Sequence, residues 1–186
     1  MSGLIIPKDY KPALDMRRTE VAIKKVKDFF ERDLAIALNL TRVSAPLFLR
    51  ANSGLNDNLN GVERAVSFDV PDIGEVAEIP QSLAKWKRWA LGMYGFSRGE
   101  GLYTDMNAIR RDEETDNMHS VYVDQWDWEC VIDRADRNVE TLKKVVRKIY
   151  TSLLHTEHYI ANEYDFVDTL LPEDIHFITA QELEDE

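Results

Sequence analysis

The strongest constraint on the fold lies in residues 101–129, where two β-patterned runs, 101–110 and 119–129, are joined by the short charged stretch 111–117. Successive side chains of a strand point to opposite faces. In the second run this puts Val121, Val123, Gln125, Asp127 and Glu129 on one face, and Tyr122, Asp124, Trp126 and Trp128 on the other. So short a connection predicts an antiparallel pair rather than a crossover. One face then carries three consecutive hydrogen-bonding groups, two of them carboxylates. A solvated sheet face gives the same pattern. Against that reading, the opposite face is aromatic enough to form the core, and carboxylates beside an arginine-bearing turn suit recognition of an amine and a phosphate.

The remaining chain supplies helices and shorter strands. Pro7 and Pro12 interrupt any helix over residues 1–18, which read as an extended arm. Thr19 is a candidate cap for a helix over 20–39, with Ile23, Val26, Phe30, Leu34 and Leu38 at spacings of three and four. A β-rich run from Leu40 to Phe48 follows, broken by Pro46, and residues 51–61 form a loop rich in turn formers. Strands are expected at Val66–Val70 and Val76–Ile79 across the turn Pro71-Asp72-Ile73-Gly74. Ser82 is a candidate cap for a helix carrying Leu83, Trp86, Ala90 and Met93 on one side. A long helix is expected over 138–163, with Leu142, Val145, Val146, Ile149, Leu153 and Leu154 as its core face. Ile175–Ile178 reads as a late strand, and Glu182–Glu186 as a frayed end. The fold class expected is α+β, an antiparallel sheet with helices packed on it.

Composition narrows the function. With 23 Lys and Arg against 34 Asp and Glu, the net charge is −11. Such a chain is repelled by nucleic-acid phosphates and anionic membranes, so neither is an expected partner. No apolar run reaches the length of a membrane span. The single cysteine, Cys130, ties nothing to an oxidising compartment, and a cytoplasmic location is expected. Phosphate loops of the Walker type, the Gly-x-Ser-x-Gly elbow and zinc-spaced cysteines do not occur. The spacing of His155 and His158 matches no common zinc-protease pattern, and no protein-held metal site is expected. Taken alone, Arg110-Arg111-Asp112-Glu113 fits a charged hairpin tip, Lys85-Trp86-Lys87-Arg88 a solvated helix face, and Asp57 a turn aspartate.

Longer motifs point further. Ser82-Leu83-Ala84-Lys85-Trp86-Lys87-Arg88, Gly99-Glu100-Gly101-Leu102-Tyr103-Thr104, His119 through Glu129, Asn56-Asp57-Asn58-Leu59-Asn60-Gly61 and Ile175-His176-Phe177 together resemble the ammonia-dependent asparagine synthetases, or aspartate–ammonia ligases. That family is similar to the catalytic domain of class II aspartyl- and asparaginyl-tRNA synthetases. The resemblance implies ATP-dependent adenylation of the aspartate side-chain carboxylate, then attack by ammonia to give asparagine, AMP and pyrophosphate. ATP with Mg²⁺, aspartate and ammonia are the implied cofactors and substrates. The helix 20–39 and the segment to Leu47 resemble the first class II motif, which implies a homodimer interface. Residues 103–129 resemble the second motif. The resemblance implies Arg110 and Lys87 as catalytic residues, and Arg110, Arg111 and Glu113 as nucleotide-binding. Which of Arg110 and Arg111 meets the α-phosphate is left open. Gln125 and Asp127 are implied to hold the α-amino and α-carboxylate end of aspartate, with Asp57, Ser82 and Lys87 completing the pocket.

Two departures from the family pattern shape the expectation. Gln81 stands where the family usually has histidine. The family chain is nearly twice as long, and its glycine-rich third motif has no counterpart among these residues. Residues 1–186 are therefore expected to be the N-terminal part of a single class II-like catalytic domain, with impaired activity. The alternatives are a non-catalytic paralogue retaining dimerisation and partial aspartate or AMP binding, and one half of a split enzyme.

Overall fold

The structure is a computed structural model that describes residues 3–185. These fall into two compact units, one of residues 3–11 and 38–133, the other of residues 12–37 and 134–185. The first unit holds six strands and one helix. Strands β5 (Gly101–Ile109) and β6 (Tyr122–Cys130) form the antiparallel pair read from the sequence, in register from Gly101 opposite Cys130 to Ile109 opposite Tyr122. Strand β1 (Leu40–Arg42) lies on the other side of β5 and runs parallel to it. A second sheet, in the order β2-β4-β3, joins β2 (Leu49–Arg50), β3 (Ser67–Val70) and β4 (Glu75–Glu78), all antiparallel.

The expectation of one antiparallel sheet thus needs correcting in two places. The strands divide between two sheets: β1 ends at Arg42 within the Leu40–Phe48 run, and Leu49–Arg50 pairs in the separate sheet. Leu40 to Arg42 also pair in parallel, through a crossover that a short local pattern does not reveal.

Where β1 and β5 begin and β6 ends, Gly101 is required by space. A Cβ there meets the Cys130 Sγ and the Glu129 carbonyl oxygen at 2.6 Å, and Leu40 Cδ2 at 2.7 Å. The carbonyl belongs to the backbone ladder and has no room to yield. Gly101→Ala should therefore cost about 1–3 kcal/mol, the usual range for an overpacked interior. A denaturant midpoint unchanged from the wild type would contradict this packing.

Helix α2 (Ala84–Met93) covers one face of the hairpin. Its buried arc runs through Leu83, Trp86, Lys87, Ala90 and Leu91, positions i, i+3, i+4, i+7 and i+8 of a helical stripe. Leu83, Trp86, Ala90 and Leu91 pack with Leu102, Met106 and Ala108 of β5 as the core. Met93, expected in that core, lies off the arc at i+10 and is exposed. The core location is also corrected. Because Gln125, Asp127 and Glu129 oppose Met106, Thr104 and Leu102, they share the buried face, whereas the aromatic face holds no member of the buried cluster. Thr104, wholly buried, is satisfied by accepting the Ala45 N–H at 3.0 Å and donating to the Asp105 carbonyl at 3.2 Å.

The second unit is built on helices α1 (Met16–Leu38, its last residue counted with the first unit) and α3 (Val139–Glu163). Lys25 pairs with Glu163, Phe29 stacks on Tyr159 at 4.4 Å, and Asp33 meets His155 at 3.2 Å. Successive α1 positions four apart thus meet α3 positions four apart in the reverse direction, so the two helices are antiparallel. Helix α3 starts as expected, with Asn138 Oδ1 accepting the Thr141 N–H at 2.9 Å. Helix α1 starts earlier than expected because Asp15, not Thr19, accepts the free N–H, from Arg18 at 2.8 Å. Ile23 and Val26 of α1, and Leu142 and Leu153 of α3, are exposed rather than core. Ile175–Ile178 is not a strand; Phe177 lies instead beneath Lys143 and Arg147 of α3, 5.5 and 5.1 Å from its ring centre. Residues expected to fray form the short helix α4 (Ala180–Asp185). Glu186 lies outside the described residues.

Candidate functional site

The hairpin face under α2 positions the polar residues singled out above. Asp127 and Glu129 sit on the face of β6 that α2 covers, and Lys87 lies in the buried arc of α2 opposite them. The Lys87 ammonium forms an ion pair with Asp127, donates to the Trp128 carbonyl at 2.9 Å, and lies 3.6 Å from Glu129. Lys87 is only 4% exposed, so its charge is directed wholly at these partners. Arg88, at the surface, approaches the other Glu129 oxygen at 3.9 Å. Gln125 lies further along the same face, its amide nitrogen 3.0 Å from the Met106 sulfur.

Arg110 continues that face beyond β5. Its N–H bonds the Val121 carbonyl at 2.7 Å, which keeps the strand alternation running, so its side chain falls on the side of Gln125 and Asp127. The Arg110 Nε is buried and has no hydrogen-bond partner among the described residues. Arg110 lines a cavity of about 110 Å³ together with Leu59, Glu63, Gln81, Arg111, Asp112 and Glu113. Three of these, Arg110, Arg111 and Glu113, are the residues that the family resemblance implies for the nucleotide.

Two acids of the cavity are already engaged. Arg64 grips Asp112 through its backbone N–H and guanidinium, which holds the Asp112 carboxyl at about 2, well below the usual range. Glu63 accepts both the backbone N–H of Asn60, at 3.1 Å, and its side-chain amide, at 2.7 Å. Arg111 is exposed and reaches the Ala65 carbonyl at 3.5 Å.

The loop beyond the cavity is organised by Asp116. One of its oxygens accepts the N–H groups of Met118 and His119, each at 2.7 Å, and the His119 imidazole lies 2.9 Å from both oxygens. These bonds hold the Asp116 carboxyl at about 2, and Asp116 in turn raises the His119 pKa. The stabilisation from His119 is complete below its unfolded value near 6.5 and fades as pH rises through its raised folded value. That from Asp116 is complete above its unfolded value near 3.8 and fades as pH falls towards 2. Loop amides 116–119 should therefore exchange most slowly, after correction for intrinsic rates, between about pH 4 and 6.5. Protection that rises steadily from pH 6 to pH 9 would contradict this arrangement.

Not every expected residue joins the constellation. Ser82 accepts the Ala84 N–H at 3.2 Å and so shapes the entry to α2. Asp57 is half-buried in the 51–61 loop, makes no hydrogen bond or ion pair among the described residues, and does not line the cavity. Sequence reasoning missed Asn56. It is buried and braces three elements: its Oδ1 accepts the Gln81 N–H at 3.0 Å, its Nδ2 donates to Glu78 at 3.0 Å, and its carbonyl accepts from Lys85 at 3.2 Å. The turn-former composition around it masked that role. Arg64 was missed as well, because its partner Asp112 is 48 residues away.

Residues 17–186 match the family described as aspartate-ammonia ligase. The chain belongs to this family. It is 64% identical over 186 residues to an aspartate–ammonia ligase of Clostridium perfringens (strain SM101 / Type A), covering 100% of this chain and 55% of that protein. A relative of the same name from Ruminiclostridium cellulolyticum is 63% identical over the same share of both chains. The chain thus spans about half the length of the curated family members it matches. Among solved structures, one titled as an ATP phosphoribosyltransferase regulatory subunit/histidyl-tRNA synthetase from Bacillus halodurans C is similar with a TM-score of 0.54. The likeness covers 81% of this chain and 40% of that one at 11% identity, and it concerns the α+β fold alone.

Proposed function

We propose that these residues form one wall of an aspartate–ammonia ligase active site, the wall that grips the adenylate and the backbone end of aspartate. The observation that carries the reading is the buried, unpartnered Arg110 Nε, facing a small cavity at the end of the strand face that holds Gln125 and Asp127. A buried guanidinium N–H without a partner is costly, and an anionic oxygen satisfies it. This supports Arg110 rather than the exposed Arg111 as the α-phosphate ligand.

In this reading a side-chain carboxylate oxygen of aspartate attacks the α-phosphorus of ATP. The bond to the β-phosphate oxygen breaks, and pyrophosphate leaves. Ammonia then attacks the β-carbonyl carbon, the bond to the AMP oxygen breaks, and the ammonia nitrogen loses a proton. Arg110, with Arg111 at the rim, offsets negative charge that grows on the phosphoryl oxygens. Glu113, at the cavity edge, accepts from the adenine amino group. Asp127 and the Gln125 carbonyl take the substrate amine, with Asp57 and Ser82 completing the aspartate pocket. Because its ammonium is already held by Asp127, Trp128 and Glu129, Lys87 acts by positioning Asp127 rather than by touching phosphate. ATP is proposed with the Mg²⁺ it carries. Among the described residues no three His, Cys, Asp or Glu side chains gather as metal ligands.

The exposed apolar side chains of α1, Val21, Ile23, Val26 and Ile36, support a homodimer through this helix, to be read by sedimentation at micromolar concentration. The negative charge supports an enzyme with no nucleic-acid or membrane partner, and the lone cysteine fits the cytoplasmic location proposed for it. The test of function is formation of AMP and asparagine from aspartate, ammonia and ATP by the purified chain, beside an Arg110→Ala control. Turnover well below that of an ordinary enzyme, and lower still in the control, is expected. Asparagine formation equal in both would contradict the proposal.

A further inference from the structure

Gln81 immediately precedes the Ser82–Arg88 motif and has no part in the functional reading above. It is 2% exposed, yet no donor or acceptor among the described residues meets its side-chain amide. Buried polar side chains nearly always have a partner, so such a group marks a place where one is supplied from outside. Its backbone is not free to drift. Pro80 before it is fully buried, and its own N–H is fixed by Asn56, which Glu78 and Lys85 hold in turn. The side chain lines the same cavity of about 110 Å³ as Arg110.

A count of the polar groups around that cavity narrows what fits. Asp112 is occupied by Arg64 and Glu63 by Asn60. One buried group remains unmet, the Arg110 Nε–H, and the Gln81 side chain, which makes no hydrogen bond among the described residues, lines the same cavity; the two come from separate segments, the end of β5 and the stretch before α2. One guanidinium fork suffices for a planar carboxylate. Donors converging from two elements suit a tetrahedral group that presents oxygens in more than one plane.

We propose that Gln81 is a ligand-binding residue of this site, its side-chain amide donating to a phosphoryl oxygen of the bound nucleotide beside the Arg110 Nε. The inference rests on the adenylate reading and deepens it. It makes Gln81 a determinant of affinity for the phosphoryl group and not for the nucleoside.

The experiment titrates the 186-residue chain with AMP and with adenosine, following the Gln81 side-chain amide resonances, and repeats both titrations with Gln81→Leu and Gln81→His. In the wild type the Gln81 amide should shift with AMP and stay still with adenosine. Gln81→Leu, close in shape but without a donor, should bind AMP on the order of tenfold more weakly and adenosine unchanged. Gln81→His, which keeps a ring N–H, should retain AMP affinity within roughly threefold. If Gln81→Leu fails to fold, the wild-type amide shift and the histidine variant decide the matter. AMP affinity equal in wild type and Gln81→Leu, or a Gln81 amide unmoved by AMP, would overturn this inference alone. So would a loss of affinity confined to aspartate. A wild-type chain that binds neither AMP nor adenosine would overturn the adenylate reading and this inference with it.

Discussion

Replacing Lys87 by methionine should destabilise the first unit by about 3–5 kcal/mol, the cost of removing one partner from a buried ion pair. For a chain of this size that corresponds to a melting point lower by roughly 10 °C. The lost attraction to Asp127 is only part of the effect. Lys87 is the cation shared by Asp127 and Glu129, whose side chains are 24% and 28% exposed. Without it, two carboxylates on adjacent positions of one face repel across a poorly solvated space. The argument has an internal check. Adding Asp127→Asn and Glu129→Gln to Lys87→Met removes the unpaired charges, so the triple variant should recover much of the lost stability. A triple variant no more stable than Lys87→Met would show that packing rather than charge sets the penalty.

Arg110 should behave in the opposite way. Arg110→Ala is expected to weaken AMP binding roughly 10- to 100-fold, the range of one charge-assisted hydrogen bond of about 1.5–3 kcal/mol. It should leave stability nearly unchanged, because the Arg110 Nε has no partner to lose. Arg111→Ala is the control. That side chain is exposed, and its removal should change affinity by less than about threefold. Isothermal titration together with thermal unfolding of both variants separates the roles. Equal losses of affinity from the two substitutions would place the phosphate at the rim instead of in the cavity. A large loss of stability from Arg110→Ala would make its guanidinium structural. A residue that burdens the fold while unliganded and serves the ligand when bound is the usual signature of a binding group.

Much of this arrangement can be read from the residues themselves. The β5–β6 hairpin follows from two alternating runs and a charged turn, and α3 from an Asn138 cap and a sustained helical period. Gln125, Asp127 and Glu129 fall on one face by counting in twos. What the pattern does not reveal are the interactions whose partners are distant in sequence. The parallel pairing of Leu40–Arg42 with Gly101–Tyr103 depends on contacts some 60 residues apart, which no local period encodes. Large, apolar tryptophans make the aromatic face of β6 the expected core. The buried face is chosen instead by β5, where Leu102, Thr104, Met106 and Ala108 are small enough to admit α2. Lys87 looked like part of a solvated basic run. Its place at i+4 from Leu83 carries it into the buried arc, and two acids from β6 make that position tolerable. The family resemblance supplied roles for Arg110 and Gln125. Geometry alone distinguishes Arg110, half-buried with its Nε enclosed, from the exposed Arg111, and brings Gln81 and Asn56 into view.

The central claim is that Arg110 and the Gln125–Asp127 face form one continuous wall for a nucleotide and an amino acid. A crystal structure of the chain grown with AMP and aspartate tests it most directly. The account predicts a phosphate oxygen within hydrogen-bonding distance of the Arg110 Nε, and the aspartate amine on Asp127 and Gln125, with the Lys87–Asp127 pair intact. AMP bound away from the cavity, or aspartate bound with Asp127 still facing only Lys87, would contradict it.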